Sequence, residues 1–191
     1  MSVETEVKIR LAGLDDFRRC LARLNPLMKA DRHFEDNLLL DFPDGRLRSQ
    51  GCLLRVRTEA EGALLTFKSP AEISDLFKIR EELEIEVGNG AMAVEIFERL
   101  GLKVWFRYQK YRTEYAARAG SRKDQELHIA LDETPIGIYA EFEGSQEGIR
   151  EAAGRMDFDE SRFLRDSYYE LYLQHCHRSG LWPTHMVFRE K

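Results

Sequence analysis

Cysteine is scarce. Cys20, Cys52 and Cys176 are odd in number and far apart, which excludes a disulfide framework. Five prolines and 13 glycines in 191 residues are scattered, so no linker, low-complexity segment or solenoid period stands out. No apolar run approaches membrane-spanning length, and the N-terminus enters an amphipathic strand at once with no apolar leader region. A cytoplasmic address and no membrane partner are therefore expected. An excess of positive charge is missing too: the formal net charge is −5, which argues against a nucleic-acid partner.

What the chain does have is charge of both signs. Asp, Glu, Lys and Arg make up 33% of it, against about a quarter in ordinary globular proteins. Its length suits one domain that buries roughly 70% of its unfolded surface and needs no structural metal to fold. Two-residue alternation predicts strands over 3–11, 32–42, 52–58, 64–68, 77–87, 103–115, 126–132 and 136–143. Turns are read at Pro43-Asp44-Gly45, Glu61-Gly62 and Glu133-Thr134-Pro135. Helices are predicted over 15–24, from an Asn89 cap to Leu100 with Gly101 as its stop, over 146–154 and over 159–177. Eight strands in an order that favours antiparallel pairing, with few helices, predict an α+β fold built on an eight-stranded antiparallel β-barrel.

Alternation also sorts the charges, because residues i, i+2 and i+4 of a strand share a face. Glu4, Glu6 and Lys8 fall together, as do Arg55 with Arg57 and Thr66 with Lys68. Arg80, Glu82, Glu84 and Glu86 line up on one strand, and Lys110, Arg112 and Glu114 on another. Asp132, and Glu141 with Glu143, complete the set. These faces either point to solvent around an apolar barrel or point inward with helices covering the apolar outside, and the pattern alone allows both. Chemistry gives the inward arrangement a purpose. Clustered carboxylates suit hard cations such as Mg²⁺ or Mn²⁺, and clustered Lys and Arg suit a polyanion.

Glu4-Thr5-Glu6-Val7-Lys8 resembles the E-x-E-x-K signature that opens the CYTH (triphosphate tunnel) family, and further motifs follow in the family's order. Asn37, Asp41, Asp44-Gly45, Leu47, Gly51 and Leu54-Arg55-Val56-Arg57 resemble its second and third strands. Leu65 to Pro70 resembles its lysine strand and Arg80-Glu81-Glu82-Leu83-Glu84 its R-x-E-x-E strand. Lys110-Tyr111-Arg112, Leu131-Asp132 and Gly137 through Glu141-Phe142-Glu143 resemble the remaining strands, and Ser167-Tyr168 a late helical motif. The match covers roughly residues 3 to 170. The expected organisation is a triphosphate tunnel domain over 1–175, C-terminal helix included, and a tail over 176–191.

The resemblance implies a metal-dependent triphosphatase acting on inorganic tripolyphosphate or an organic triphosphate such as thiamine triphosphate. The alternatives it leaves open are a class IV adenylate cyclase and a non-catalytic polyphosphate- or nucleotide-binding module. The implied cofactor is Mg²⁺ or Mn²⁺ and the partner a triphosphate-containing small molecule, with the chain a monomer or homodimer. Glu4, Glu6, Glu141 and Glu143 are the implied metal ligands, with Asp132 and Glu82 or Glu84 beside a second ion or its waters. Lys8, Arg55, Arg57, Lys68, Arg80, Lys110 and Arg112 would hold the triphosphate, and Lys8, Glu6 and Glu143 would stand at the chemistry. Lys8 either orients the attacking water or is an ion-pair partner of Glu6 or Glu141. Tyr168 closes the tunnel or packs against its wall. His175-Cys176-His177 is no metal site, because neighbours at this spacing on a helix do not face one another.

Overall fold

The computed structural model describes residues 2–60, 62–72, 74–118 and 126–189; Glu61, half of an expected hairpin turn, lies outside them. The strands are β1 (Ser2–Leu11), β2 (Leu27–Asp41), β3 (Leu53–Glu59), β4 (Gly62–Lys68), β5 (Lys78–Val87), β6 (Lys103–Arg118), β7 (Glu126–Thr134), β8 (Gly137–Glu143) and β9 (Phe163–Leu164). The helices are α1 (Leu14–Leu21), α2 (Arg46–Ser49), α3 (Gly90–Arg99), α4 (Gln146–Arg155) and α5 (Tyr168–Ser179). The sheet runs β5-β4-β3-β2-β6-β7-β8-β1, and a β5–β1 pairing closes it into an eight-stranded barrel. The pairings that form the barrel are antiparallel. Glu6 marks the closure, standing opposite Lys78 on one side and Glu143 on the other.

The two arrangements left open by the alternation resolve to the inward one. Glu4, Glu6, Lys8, Lys68, Arg80, Lys110, Arg112 and Asp132 are all buried, and their neighbours Val7, Ile9, Leu131 and Phe142 face outward into a core made with α1 and α4. Each fully buried side chain of that core contributes about 1.5–3 kcal/mol relative to exposure. α3 covers β3 and β4 over Val56 and Ala63. Asn89 caps it by accepting from the Met92 backbone N–H at 3.0 Å. Its first residue must be small: a Cβ on Gly90 would lie 2.9 Å from the Ala63 Cβ. The outer shell is incomplete, for Val3, Leu83 and Ile85 on β1 and β5 are 69%, 47% and 61% exposed.

Four elements depart from expectation. The helix predicted over 159–177 is broken. The Asp159 side chain holds a short 3₁₀ turn, β9 follows, and Ser167 with Glu170 forms a capping box that starts α5 afresh. β9 pairs with Lys8 and Ile9 on the edge of β1 that β5 leaves beyond Glu6, so it satisfies backbone groups that would otherwise be stranded. β2 begins at Leu27 rather than at 32, because β6 is long enough to pair with it throughout. Helix α2 was not expected; the buried Asp41 carboxylate starts it by accepting from the backbone N–H groups of Leu47 and Arg48 at 3.0 and 3.1 Å.

α5 stops at Gly180, whose φ of +63° is a left-handed cap. The tail then turns back along the half of β6 that β7 does not reach. Met186 donates to Arg107 O at 3.0 Å and accepts from Gln109 N–H at 2.9 Å. Trp105, Phe106 and Tyr108 pack beneath α5 through Tyr168, Tyr169 and Tyr172.

Candidate active site in the barrel lumen

The lumen is a cavity of about 960 Å³ into which all the strand faces described above project. Its cations come from five strands. Lys8 Nζ lies 3.1 Å from Glu6 and 3.3 Å from Glu141. Lys68 bridges Glu4 and Glu82. Lys110 contacts Asp132 at 2.9 Å and Glu35 at 3.3 Å, and Arg112 forks onto Asp132 at 2.7 and 2.6 Å while reaching Glu141. Arg55 donates to the hydroxyls of Thr66 and Tyr108. Arg57 stands 3.6 Å from both Glu35 and Glu84. The buried Nε–H groups of Arg55 and Arg80 have no hydrogen-bond partner among the described residues. A buried donor left unmade costs on the order of 1–3 kcal/mol, so these guanidinium groups are short of an acceptor.

The carboxylates are strained in the opposite sense. Burial, reinforced by Glu6 and Glu82, pushes Glu4 up to about 7 despite the pull of Lys68. Burial raises Glu143 as well. Burial also penalises Glu6, but Lys8, Lys68 and Lys78 outweigh it and hold the group at about 2. Glu141 is driven well below its usual range, with Lys8 and Arg112 overcoming its burial. Among the cations, burial beside Lys8 and Arg80 lowers Lys78 to about 8. Lys8 goes the other way: burial opposes its charge, yet Glu141 and Glu6 keep it firmly protonated.

The residues present fit a hard divalent cation. Glu4 and Glu143 are each raised by burial and also by the neighbouring charge of Glu6, and a bound cation relieves that repulsion. The register β4–β5 is unbroken, so Glu82, Glu84 and Glu86 share one face. Glu82 is the one beside Glu4 and Lys68, while Glu84 accepts from Thr66 and stands by Arg55 and Arg57. Asp132 is placed differently from the other acids. It is wholly buried and takes hydrogen bonds from Lys110, from two nitrogens of Arg112, and from the Tyr168 hydroxyl at 2.6 Å. That geometry joins it to both β6 cations and to Tyr168 in the cavity wall.

Several lumen residues escaped the sequence reading. Glu35 is completely buried and contacts Lys110, Arg57 and Arg112. His33 sits beside it, and Glu35 together with the backbone carbonyl of Asp31 raises the imidazole to about 9. His128 meets Glu114 at 2.6 Å. The signal was available: His33, Glu35 and Asn37 alternate along a predicted strand whose faces had been left unsorted. Exposure then grades the lumen. Glu143, Glu59 and Glu114 show 45%, 31% and 27% of their side chains at one mouth. The other mouth carries Leu39, Leu53, Trp105, Tyr108 and Tyr169, with the Arg48 guanidinium over the Trp105 ring at 4.2 Å.

Comparison with known proteins agrees with this architecture. The CYTH domain family model matches residues 2–178. A protein of Methanocaldococcus jannaschii named "Putative adenylate cyclase MJ0240" is 24% identical over 182 residues, covering 88% of this chain and 98% of that protein. A Vibrio parahaemolyticus structure, also titled a "putative adenylate cyclase", superposes with a TM-score of 0.75 at 20% identity, over 89% of this chain and 97% of that one. A Hippeastrum structure, titled a "putative adenylyl cyclase" with a dominant triphosphatase activity, gives 0.61 at 17% identity, over 94% of this chain and 97% of that one.

Proposed function

The chain belongs to the CYTH domain family, and from that premise we propose that it is a divalent-metal-dependent enzyme hydrolysing tripolyphosphate or an organic triphosphate such as thiamine triphosphate. The observation that supports this reading is the presence in one lumen of two unsatisfied charge sets. The Nε–H groups of buried Arg55 and Arg80 lack acceptors among the described residues, and Glu6 and Glu82 repel the buried Glu4 carboxylate. A triphosphate with its cation supplies what each set lacks.

In this reading Arg55, Arg57, Arg80 and Arg112 fork onto phosphate oxygens, and Lys8, Lys68 and Lys110 act as point charges. Phosphoryl transfer asks mainly for such positioning and charge neutralisation. Glu4, Glu6, Glu141 and Glu143 would hold Mg²⁺ or Mn²⁺, with Glu82 within reach of a second ion. Such an ion, when bound, neutralises phosphate charge and lowers the pKa of a coordinated water. Lys8, charged at neutral pH and braced between Glu6 and Glu141, acts as a donor to phosphate or water and not as a proton acceptor. Asp132 keeps Lys110, Arg112 and Tyr168 in place, and Glu84 orders Thr66 beside Arg55.

One observation favours a second reading, cyclisation of ATP to cyclic AMP and diphosphate. The cavity far exceeds an inorganic triphosphate, and its aromatic mouth offers Trp105 and Tyr169 to an organic group. Incubation with Mg²⁺ or Mn²⁺ and tripolyphosphate, thiamine triphosphate or ATP, followed by phosphorus NMR, separates the readings. Orthophosphate with the corresponding diphosphate is expected. Cyclic AMP with diphosphate from ATP alone would establish the cyclase. Binding without turnover of any of the three would reduce the protein to a binding module.

A further inference from the structure

At the acidic mouth, donor atoms of His33, Glu35 and Glu59 lie within 4.8 Å of one another. His33 Nε2 stands 3.7 Å from Glu35 Oε1 and 3.7 Å from Glu114 Oε1. Two ligand atoms each about 2.1 Å from a shared tetrahedral or octahedral ion sit roughly 3.0–3.5 Å apart, so the observed spacing is slightly expanded from a coordination shell.

Acidic clusters are common on protein surfaces, but two features set this one apart. Glu35 is 0% exposed, yet among the described residues its Oε1 has no hydrogen-bond partner, and neither has the buried His33 Nε2 that faces it. The other imidazole nitrogen, Nδ1, is held by the backbone carbonyl of Asp31 at 2.8 Å. A backbone carbonyl on one nitrogen fixes the ring and its tautomer and aims the second nitrogen at a metal, as metal-binding histidines are usually arranged. An imidazolium paired with these carboxylates is the competing occupant: Glu35 raises the imidazole, so a metal must displace the Nε2 proton to bind. Arg57 and Arg112 also stand off Glu35 Oε1, each at 3.6 Å. Arg57 Nε approaches one Glu59 oxygen at 3.0 Å, which leaves the second oxygen of that carboxylate for a ligand.

We propose that His33, Glu35 and Glu59 form a site for a borderline divalent transition ion of the Zn²⁺ or Co²⁺ class, separate from the carboxylates Glu4, Glu6, Glu141 and Glu143. The imidazole nitrogen selects for that class over Mg²⁺ and Ca²⁺, which prefer all-oxygen shells. The site is also linked to the lumen. Glu35 is shared with Lys110 and Arg112, so an ion that takes up its negative charge leaves those two cations more fully available to an anion.

The test uses the full chain, stripped by chelator, and Co²⁺ alone. The result therefore does not depend on which triphosphate the lumen accepts. Wild type is expected to bind one equivalent with the intense visible bands of an imidazole-containing, low-coordinate Co²⁺ site; an all-oxygen octahedral site is pale. Zn²⁺ should displace it, and Mg²⁺ in excess should not. His33→Ala and Glu59→Gln should each lose the bands and weaken binding about 100-fold or more, whereas Glu6→Gln should retain them. Glu59, partly exposed, keeps the test decisive if His33→Ala fails to fold. Absence of the bands from wild type, their survival in both His33→Ala and Glu59→Gln, or their loss in Glu6→Gln would overturn the proposal.

Discussion

The two mouths of the barrel are built by the same device and carry opposite chemistry. At both, alternation along antiparallel strands delivers every second side chain to the lumen. At one, those side chains are Leu39, Leu53, Trp105 and Tyr108, with Tyr169 added from α5. At the other they are His33, Glu59, Glu114, His128 and Glu143. Between them lies the band of buried Lys, Arg and Glu. The contrast teaches that one continuous cavity is divided by chemistry and not by walls: buried cations and carboxylates in the middle, apolar and aromatic side chains at one end, carboxylates and imidazoles at the other.

The sharpest break is at the middle, on which both ends depend. Arg80→Ala removes a buried donor that lacks a protein acceptor, so tripolyphosphate affinity should fall about 100-fold, a charged hydrogen bond being worth about 1.5–3 kcal/mol. Circular dichroism should show the fold intact. Glu6→Gln should cost more in turnover, on the order of 10³-fold at saturating Mg²⁺ by phosphate-release assay. Near wild-type turnover in Glu6→Gln would remove Glu6 from the metal site.

The aromatic mouth should respond to the substrate and not to the reaction. Trp105→Ala is expected to raise KM for an organic triphosphate about tenfold, since stacking on an aromatic ring is worth about 1–3 kcal/mol. KM for tripolyphosphate should stay within about twofold. An equal rise for both substrates would show that Trp105 acts only by supporting Tyr169, against whose ring it packs edge-on at 4.7 Å.

How much of this division was legible in the sequence follows from the range of the forces involved. Strands with an unbroken period, such as β1 and β5, displayed their charged faces directly, and the Asn89 cap is a local motif that needs no tertiary partner. Whether those faces turned inward was not legible, because that depends on whether α1, α3, α4 and α5 cover the outside. β9 and the start of α5 were misread as one helix since an open edge of β1, far away in sequence, decides their conformation. The hydrogen bonds that Asp132 takes from Lys110, from two nitrogens of Arg112 and from Tyr168 were not legible, because Tyr168 comes from a helix far away in sequence. Glu35 was missed although its alternation with His33 and Asn37 was visible, because no motif drew notice to it.

The smallest expected effect is also the most direct probe of the charge balance between the ends. Lys78 opposes Glu6 across the barrel seam, and burial with Lys8 and Arg80 lowers it to about 8. The ordinary lysine value is about 10.4. Between those values the folded chain binds fewer protons than the unfolded one, so stability should rise with pH across the window; below pH 8 both states hold the proton and the slope vanishes. A triphosphate in the lumen supplies the negative charge that Lys78 lacks and should restore its proton. Calorimetry in buffers of different ionisation enthalpy should therefore show uptake of up to one proton on tripolyphosphate binding near pH 9, and little at pH 7. Lys78→Met should abolish the uptake and flatten the stability slope together. If binding in the wild type takes up no proton near pH 9, the phosphate chain lies away from Lys78, and the lumen's anion site must be drawn closer to Arg112 and the acidic mouth.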